Sequence, residues 1–181
     1  MGLTNAEIAA QRGPFAGKAG HLDAPYQATP LAAVERMLDL AEVGAGTRLL
    51  DLGCGDGRIV IAAARRGSDA MGIDLDPERI SQARAAAREA GLTDTARFEA
   101  GDMFAADLGE VDVVTLFLLG HVNRWLEGRL RAGLRPGARV VGYAFPMPNW
   151  VPAIEEKHEQ SSIYLWRVKA TASSVYSAAG R

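Results

Sequence analysis

The sequence predicts an α/β domain built on a mostly parallel, doubly wound sheet, and three observations carry that prediction. Five short apolar segments alternate with helical segments at βαβ spacing, which requires parallel strands joined by right-handed crossovers. The first segment runs directly into a glycine-rich loop, Asp51-Leu52-Gly53-Cys54-Gly55-Asp56-Gly57, and then into the helical run Arg58 to Ala64. Acids stand at the ends of three consecutive strands, Asp51, Asp74 and Asp102, and such ends share one rim of a parallel sheet.

The elements follow in order. Residues 1–28 stand apart as an N-terminal segment, a tail or a lid, with a short helix near residues 5–11 and a glycine-rich stretch from Arg12 to Gly20. The main domain, residues 29–181, opens with a helix capped by Thr29 and started by Pro30, along which Leu31, Val34, Leu38 and Ala41 recur at helical spacing. Strands are expected at residues 48–52, 70–74, 96–100, 111–118 and 138–145, and helices at 57–66, 77–90 and 121–132. Asp76 caps the helix that begins at Pro77, with Glu78 in its first turn, while Gly67 and Gly91 stop the helices before them. Pro146, Pro148 and Pro152 forbid a long helix after the fifth strand. Residues 153–160 and 161–168 read as two strands with a tight connection, an antiparallel pair at the sheet edge, and a loosely docked tail follows from Ala170.

Composition bounds the function. A chain of 181 residues buries a full core as one domain. A formal charge of −2 and a pI near 5.9 speak against nucleic acid as a partner, and Arg124, Arg129, Arg131 and Arg135 are expected to spread over a solvated face. The one cysteine, Cys54, excludes an internal disulfide and a cysteine-built metal site, and fits the loop as a small residue. No signal sequence opens the chain, and the apolar run Val113 to Leu119 is too short to span a bilayer, so a cytoplasmic protein without membrane insertion is expected.

The acids of the loop discriminate better than its glycines. A dinucleotide fingerprint needs its third glycine at residue 58, which is Arg58. An acid followed by glycines at plus two, four and six is matched in full by Asp51, Gly53, Gly55 and Gly57. Asp51 and Asp56 would repel a pyrophosphate but suit a cofactor that brings positive charge, as the ammonium and sulfonium of S-adenosylmethionine do. Asp74, about 20 residues beyond the loop, is placed to grip a ribose diol.

On these residues, with Leu134-Arg135-Pro136-Gly137 before the fifth strand, the chain resembles class I SAM-dependent methyltransferases over nearly its whole length. The resemblance implies a Rossmann-like, seven-stranded sheet with one antiparallel edge strand, and S-adenosyl-L-methionine as cofactor with S-adenosyl-L-homocysteine as product. It places the cofactor against Asp51, Gly53, Cys54, Gly55, Gly57, Asp74, Leu75, Asp102, Met103 and Leu118, with Asp102 accepting from the adenine amino group. A narrower resemblance is to the small lysine methyltransferases that include the ATP synthase c-subunit enzyme and its prokaryotic relatives. It rests on Ala24-Pro25-Tyr26 with Thr29-Pro30, Asp51 to Ala64, Asp112 to Leu119 with Asn123, Trp150, and Ile163 to Trp166. Gln27-Ala28 stands where that family has valine-proline, and Gly120 where it has proline.

Methyl transfer from a sulfonium needs positioning and desolvation rather than a protein nucleophile. His121 is a candidate base or a helix-start residue, Asn123 a candidate hydrogen-bond partner of substrate, and Tyr26 a candidate cover for the methionine end of the cofactor. The expected activity is N-methylation of a protein lysine. The alternatives are a small-molecule N- or O-methyltransferase and a non-catalytic SAM-binding module. Oligomeric state is not legible. Calorimetry is expected to show S-adenosylhomocysteine binding in the micromolar range or tighter and no measurable NAD binding; the reverse would sink the cofactor reading. Asp74→Ala is expected to weaken that binding by about 1–3 kcal/mol.

Overall fold

The computed structural model describes residues 27–169; the helix expected near residues 5–11 and the tail from Ala170 lie outside them. In chain order the described elements are α1 (Leu31–Leu40), β1 (Arg48–Leu52), α2 (Arg58–Arg65), β2 (Asp69–Asp74), α3 (Pro77–Glu89), β3 (Ala96–Ala100), a 3-10 turn (Met103–Ala105), β4 (Val113–Leu116), α4 (Gly120–Gly133), β5 (Arg139–Tyr143), β6 (Ile154–His158) and β7 (Ser161–Arg167). They form one seven-stranded sheet in the order β3-β2-β1-β4-β5-β7-β6. β1 to β5 run parallel. β7 is the single strand of opposite direction, and with β6 it forms the hairpin at the sheet edge, turned at Glu159-Gln160.

Helices cover both faces, so the middle strands are apolar on both sides. α1, α2 and α3 pack on one face with Leu49, Val113 and Val141, while α4 packs on the other with Leu50, Leu52, Val114 and Leu116. Val122, Leu126 and Leu130 recur every four residues along α4 and are fully buried. Each such side chain contributes about 1.5–3 kcal/mol, against about 0–1 kcal/mol for an exposed ion pair such as Arg48 with Glu110, so the apolar stripe seats the helix.

The boundaries differ from expectation where side chains compete. Thr29 does not cap α1. Pro30 occupies the N-cap position without any side-chain cap, its carbonyl accepts from Val34 N at 2.9 Å, and buried Thr29 gives its own carbonyl to Arg58 Nη1 at 2.9 Å. Asp76 does cap α3, its Oδ1 accepting from Glu78 N at 2.9 Å. β4 and β5 end early, at Leu116 and Tyr143, because the residues that follow turn away to the rim of the sheet. The arginines expected as a solvated face divide: Arg129 is half-buried against the carbonyl of Ala106, Arg131 lies 3.6 Å from Glu127 and 5.8 Å from the Trp150 ring centre, and Arg135 pairs with Asp112. Arg124, Arg131 and Arg135 nevertheless stay exposed as expected, and only Arg129 withdraws from solvent, drawn in by the Ala106 carbonyl.

Among the described residues no helix is long and apolar enough to cross a membrane, and no group of three or more His, Cys, Asp or Glu side chains could hold a metal ion.

Gly57 starts α2 with φ 80°, and a Cβ there would lie 2.6 Å from the Phe98 ring and 2.8 Å from Ala83 Cβ. Gly57→Ala therefore meets left-handed strain of about 1–2 kcal/mol and overpacking of about 1–3 kcal/mol. Gly91 has φ 68° and nothing within 4 Å of the same position. Thermal denaturation is expected to show a markedly larger loss of Tm for Gly57→Ala than for Gly91→Ala; equal losses would refute the packing role.

Candidate active site

The strand order reverses between β1 and β4, and ligands of open α/β sheets bind beyond the strand ends at such a point. The glycine loop is fastened there by its main chain. Gly53 N and Cys54 N both donate to Ile73 O, at 2.9 and 3.0 Å, and Gly55 N donates to Asp74 Oδ2 at 2.8 Å. Asp74 Oδ1 accepts from Asp76 N at 3.0 Å. The carboxylate thus joins the loop to the start of α3 while retaining lone pairs toward the cavity it lines.

Asp51 faces Thr115 across the β1–β4 pair, and Thr115 Oγ1 donates to its Oδ1 at 2.7 Å. The other oxygen, Oδ2, is buried and has no hydrogen-bond partner among the described residues. Asp51 is 2 % exposed, and burial pushes its pKa up to about 7; the Thr115 hydroxyl opposes this, and the charges of Asp74 and Asp56 add to it. An unpaired buried acceptor in a cavity wall is what a cationic or N–H-bearing ligand would satisfy. Asp56 plays another part. Arg58 binds both of its oxygens, with Nη2 at 2.6 Å from Oδ2 and Nε at 3.0 Å from Oδ1, so Asp56 lines the cavity as half of an ion pair.

The cavity brings together Asp51, Gly53, Cys54, Gly55, Asp74, Leu75, Met103 and Leu118. Cys54 is a buried thiol whose pKa burial drives well above its ordinary value, and its side chain packs where Gly72 lacks a Cβ. Four candidates are not on the wall. Gly57 serves helix packing, as above. Asp102 turns back to accept from Phe104 N at 3.0 Å, capping the 3-10 turn, while its neighbours Gly101 and Met103 line the cavity. His121 is exposed on the first turn of α4, edge-on to Trp125 at 5.1 Å. Asn123, read as a substrate contact, is fully buried and donates through Nδ2 to Phe145 O at 2.8 Å, so it holds main chain instead. Tyr26 lies outside the described residues.

Sequence reasoning missed Phe117, Arg58 and Thr115. Phe117 and Arg58 line the cavity, and Thr115 holds Asp51. The signal for Thr115 was present: one hydroxyl inside an otherwise apolar strand, in register with an acid.

A seven-stranded sheet in this order, with an acid-lined cavity at its reversal, defines the class I methyltransferase architecture. Residues 51–154 match the ANTKMT methyltransferase domain, and the chain belongs to that family of SAM-dependent methyltransferases. A protein-lysine N-methyltransferase of Saccharolobus islandicus is 39% identical over 148 residues, 78% of this chain and 92% of that protein. The adenine nucleotide translocase lysine N-methyltransferase of Mus musculus is 39% identical over 132 residues, 72% of this chain but only 57% of the mouse protein. The crystal structure of an RNA methyltransferase from Salinibacter ruber in complex with S-adenosyl-L-homocysteine matches with a TM-score of 0.79 at 44% identity, over 80% of this chain and 95% of that one.

The raised pKa of Asp51 fixes a pH dependence. Its ordinary value is 3.8 and its folded value about 7, so the folded, ligand-free chain keeps a proton that the unfolded chain has released. The contribution to stability is full below pH of about 4 and is lost as pH rises toward 7, a loss of order 1–4 kcal/mol. Asp51→Asn keeps an acceptor for Thr115 and removes this slope. Chemical denaturation from pH 4 to 8 is expected to show the variant gaining on the wild type as pH rises; parallel profiles would refute the assignment.

Proposed function

We propose that the protein transfers the methyl group of S-adenosylmethionine to a lysine amine of another protein. The observation that carries the reading is the buried, unpaired oxygen of Asp51 in a cavity it shares with Asp74, an environment made for a cation that also bears a ribose. Asp51 would face the cationic amino-acid end of the cofactor, Asp74 the ribose diol, and Gly53, Cys54 and Gly55 the close approach of its backbone-sized parts. Leu75, Met103 and Leu118 would supply apolar contact. When bound, the cofactor supplies a methyl carbon already activated by its sulfonium, so that the amine lone pair forms the new C–N bond as the C–S pair returns to sulfur.

The chain's part is positioning and exclusion of water. Loop and strand ends fix one reactant, the walls at Phe117 and Leu118 keep the path dry, and the lysine proton leaves to solvent. The lysine acceptor is supported by the archaeal relative, 92% of which is covered. A cytoplasmic site of action accords with the free, buried Cys54. An RNA acceptor is the second reading, from the description of the Salinibacter ruber protein. The formal charge of −2 favours protein over a polyanion.

Incubation with methyl-labelled cofactor and a lysate, whole or depleted of small molecules, is expected to label protein, with methyllysine released on hydrolysis. Label that resists protease and yields to nuclease, or that requires the small-molecule fraction, would overturn the lysine reading.

A further inference from the structure

The end of β5 carries a strained turn that neither the sheet nor the cofactor cavity requires. Phe145 N donates to Tyr143 O at 2.9 Å, and Ala144 between them has φ 68°. A two-residue hydrogen bond around a positive φ is the strained hand of the γ-turn, rarely formed at a residue with a Cβ. It persists because its surroundings hold it. Ala144 N donates to Ser162 O at 2.9 Å, and Asn123 Nδ2 donates to Phe145 O at 2.8 Å. One turn further along α4, the buried carboxylate of Glu127 accepts from Asn149 N at 2.9 Å, so two side chains of one helix clip the segment from Phe145 to Asn149.

The turn directs Phe145 back onto the cavity wall. Its ring stacks on that of Phe117 with centres 6.5 Å apart and planes at 21°, and Tyr143 meets Phe117 edge-on at 5.0 Å. Phe117 lines the cavity beside Leu118, whereas Phe145 is only half-buried. Aromatic surface therefore runs from the cavity to the outside at the ends of β4 and β5.

Resting on the lysine reading above, we infer that this clipped turn holds Phe145 against Phe117 as an aromatic wall that receives the side chain of the acceptor lysine. A ring face attracts an ammonium and packs against methylenes, and a lysine presents both. A nucleic-acid base would also stack on such a wall, but its phosphates would meet Asp51 and Asp74. Asn123 acts as a positioning residue through the carbonyl of Phe145.

The test measures label incorporation into small-molecule-depleted lysate protein as a function of its concentration, beside S-adenosylhomocysteine affinity by calorimetry. Phe145→Leu, which keeps apolar bulk and loses the ring, is expected to raise the half-saturating protein concentration about tenfold with cofactor affinity unchanged. Phe145→Tyr is expected to match the wild type. Asn123→Ala, assayed below its lowered Tm, is expected to reproduce the rise at unchanged cofactor affinity. Unchanged half-saturation in Phe145→Leu, or loss of its cofactor binding, would overturn the wall while leaving the lysine activity in place. A wild type that binds S-adenosylhomocysteine yet labels no protein, or labels RNA, would overturn both.

Discussion

Asp74 accepts from Gly55 N at 2.8 Å and from Asp76 N at 3.0 Å, and the cavity depends on that pair of bonds. Gly55 N lies in the glycine loop and Asp76 N at the N-cap of α3, both outside the helices and strands. Hydrogen bonds to a charged group contribute about 1.5–3 kcal/mol each, well above the exposed ion pairs on the same molecule. One side chain at the end of β2 therefore joins the loop after β1 to the start of α3. Gly53 and Cys54 add their bonds to Ile73 on the same strand, so the floor of the site is β2 as much as the glycine loop.

The sheet's two faces explain the state of Asp51. It lies on the side where Leu49 and Val113 pack beneath α1, α2 and α3, and only Thr115 offers it a donor among the described residues. The same apolar packing that stabilises the strand desolvates the acid. Asp56, further along the same loop and only partly buried, takes up Arg58, whose guanidinium also reaches Thr29 at the approach to α1.

Period and punctuation made most of the fold legible. Alternating strands and helices, the stops at Gly67 and Gly91 and the cap at Asp76 are local signals, and all stand as read. The misreadings are of another kind. Whether Asn123 faces substrate or the carbonyl of Phe145, and whether Arg129 lies in water or against Ala106, depend on partners 22 and 23 residues away that no spacing rule selects. The cavity's strand-end residues were readable because a parallel sheet gathers them on one rim. Its aromatic flank was not, since the γ-turn at Ala144 is set by α4 and β7 together.

A carboxyl group that holds its proton near neutrality changes what cofactor loading means. The empty site is thereby spared an isolated buried charge at Asp51. A cation entering beside Asp51 would favour its ionised form and displace that proton. Transfer would leave the sulfur uncharged and so remove one positive charge from beside the acids. An acid-lined site of this kind would then favour the methylated form over its spent product on electrostatic grounds.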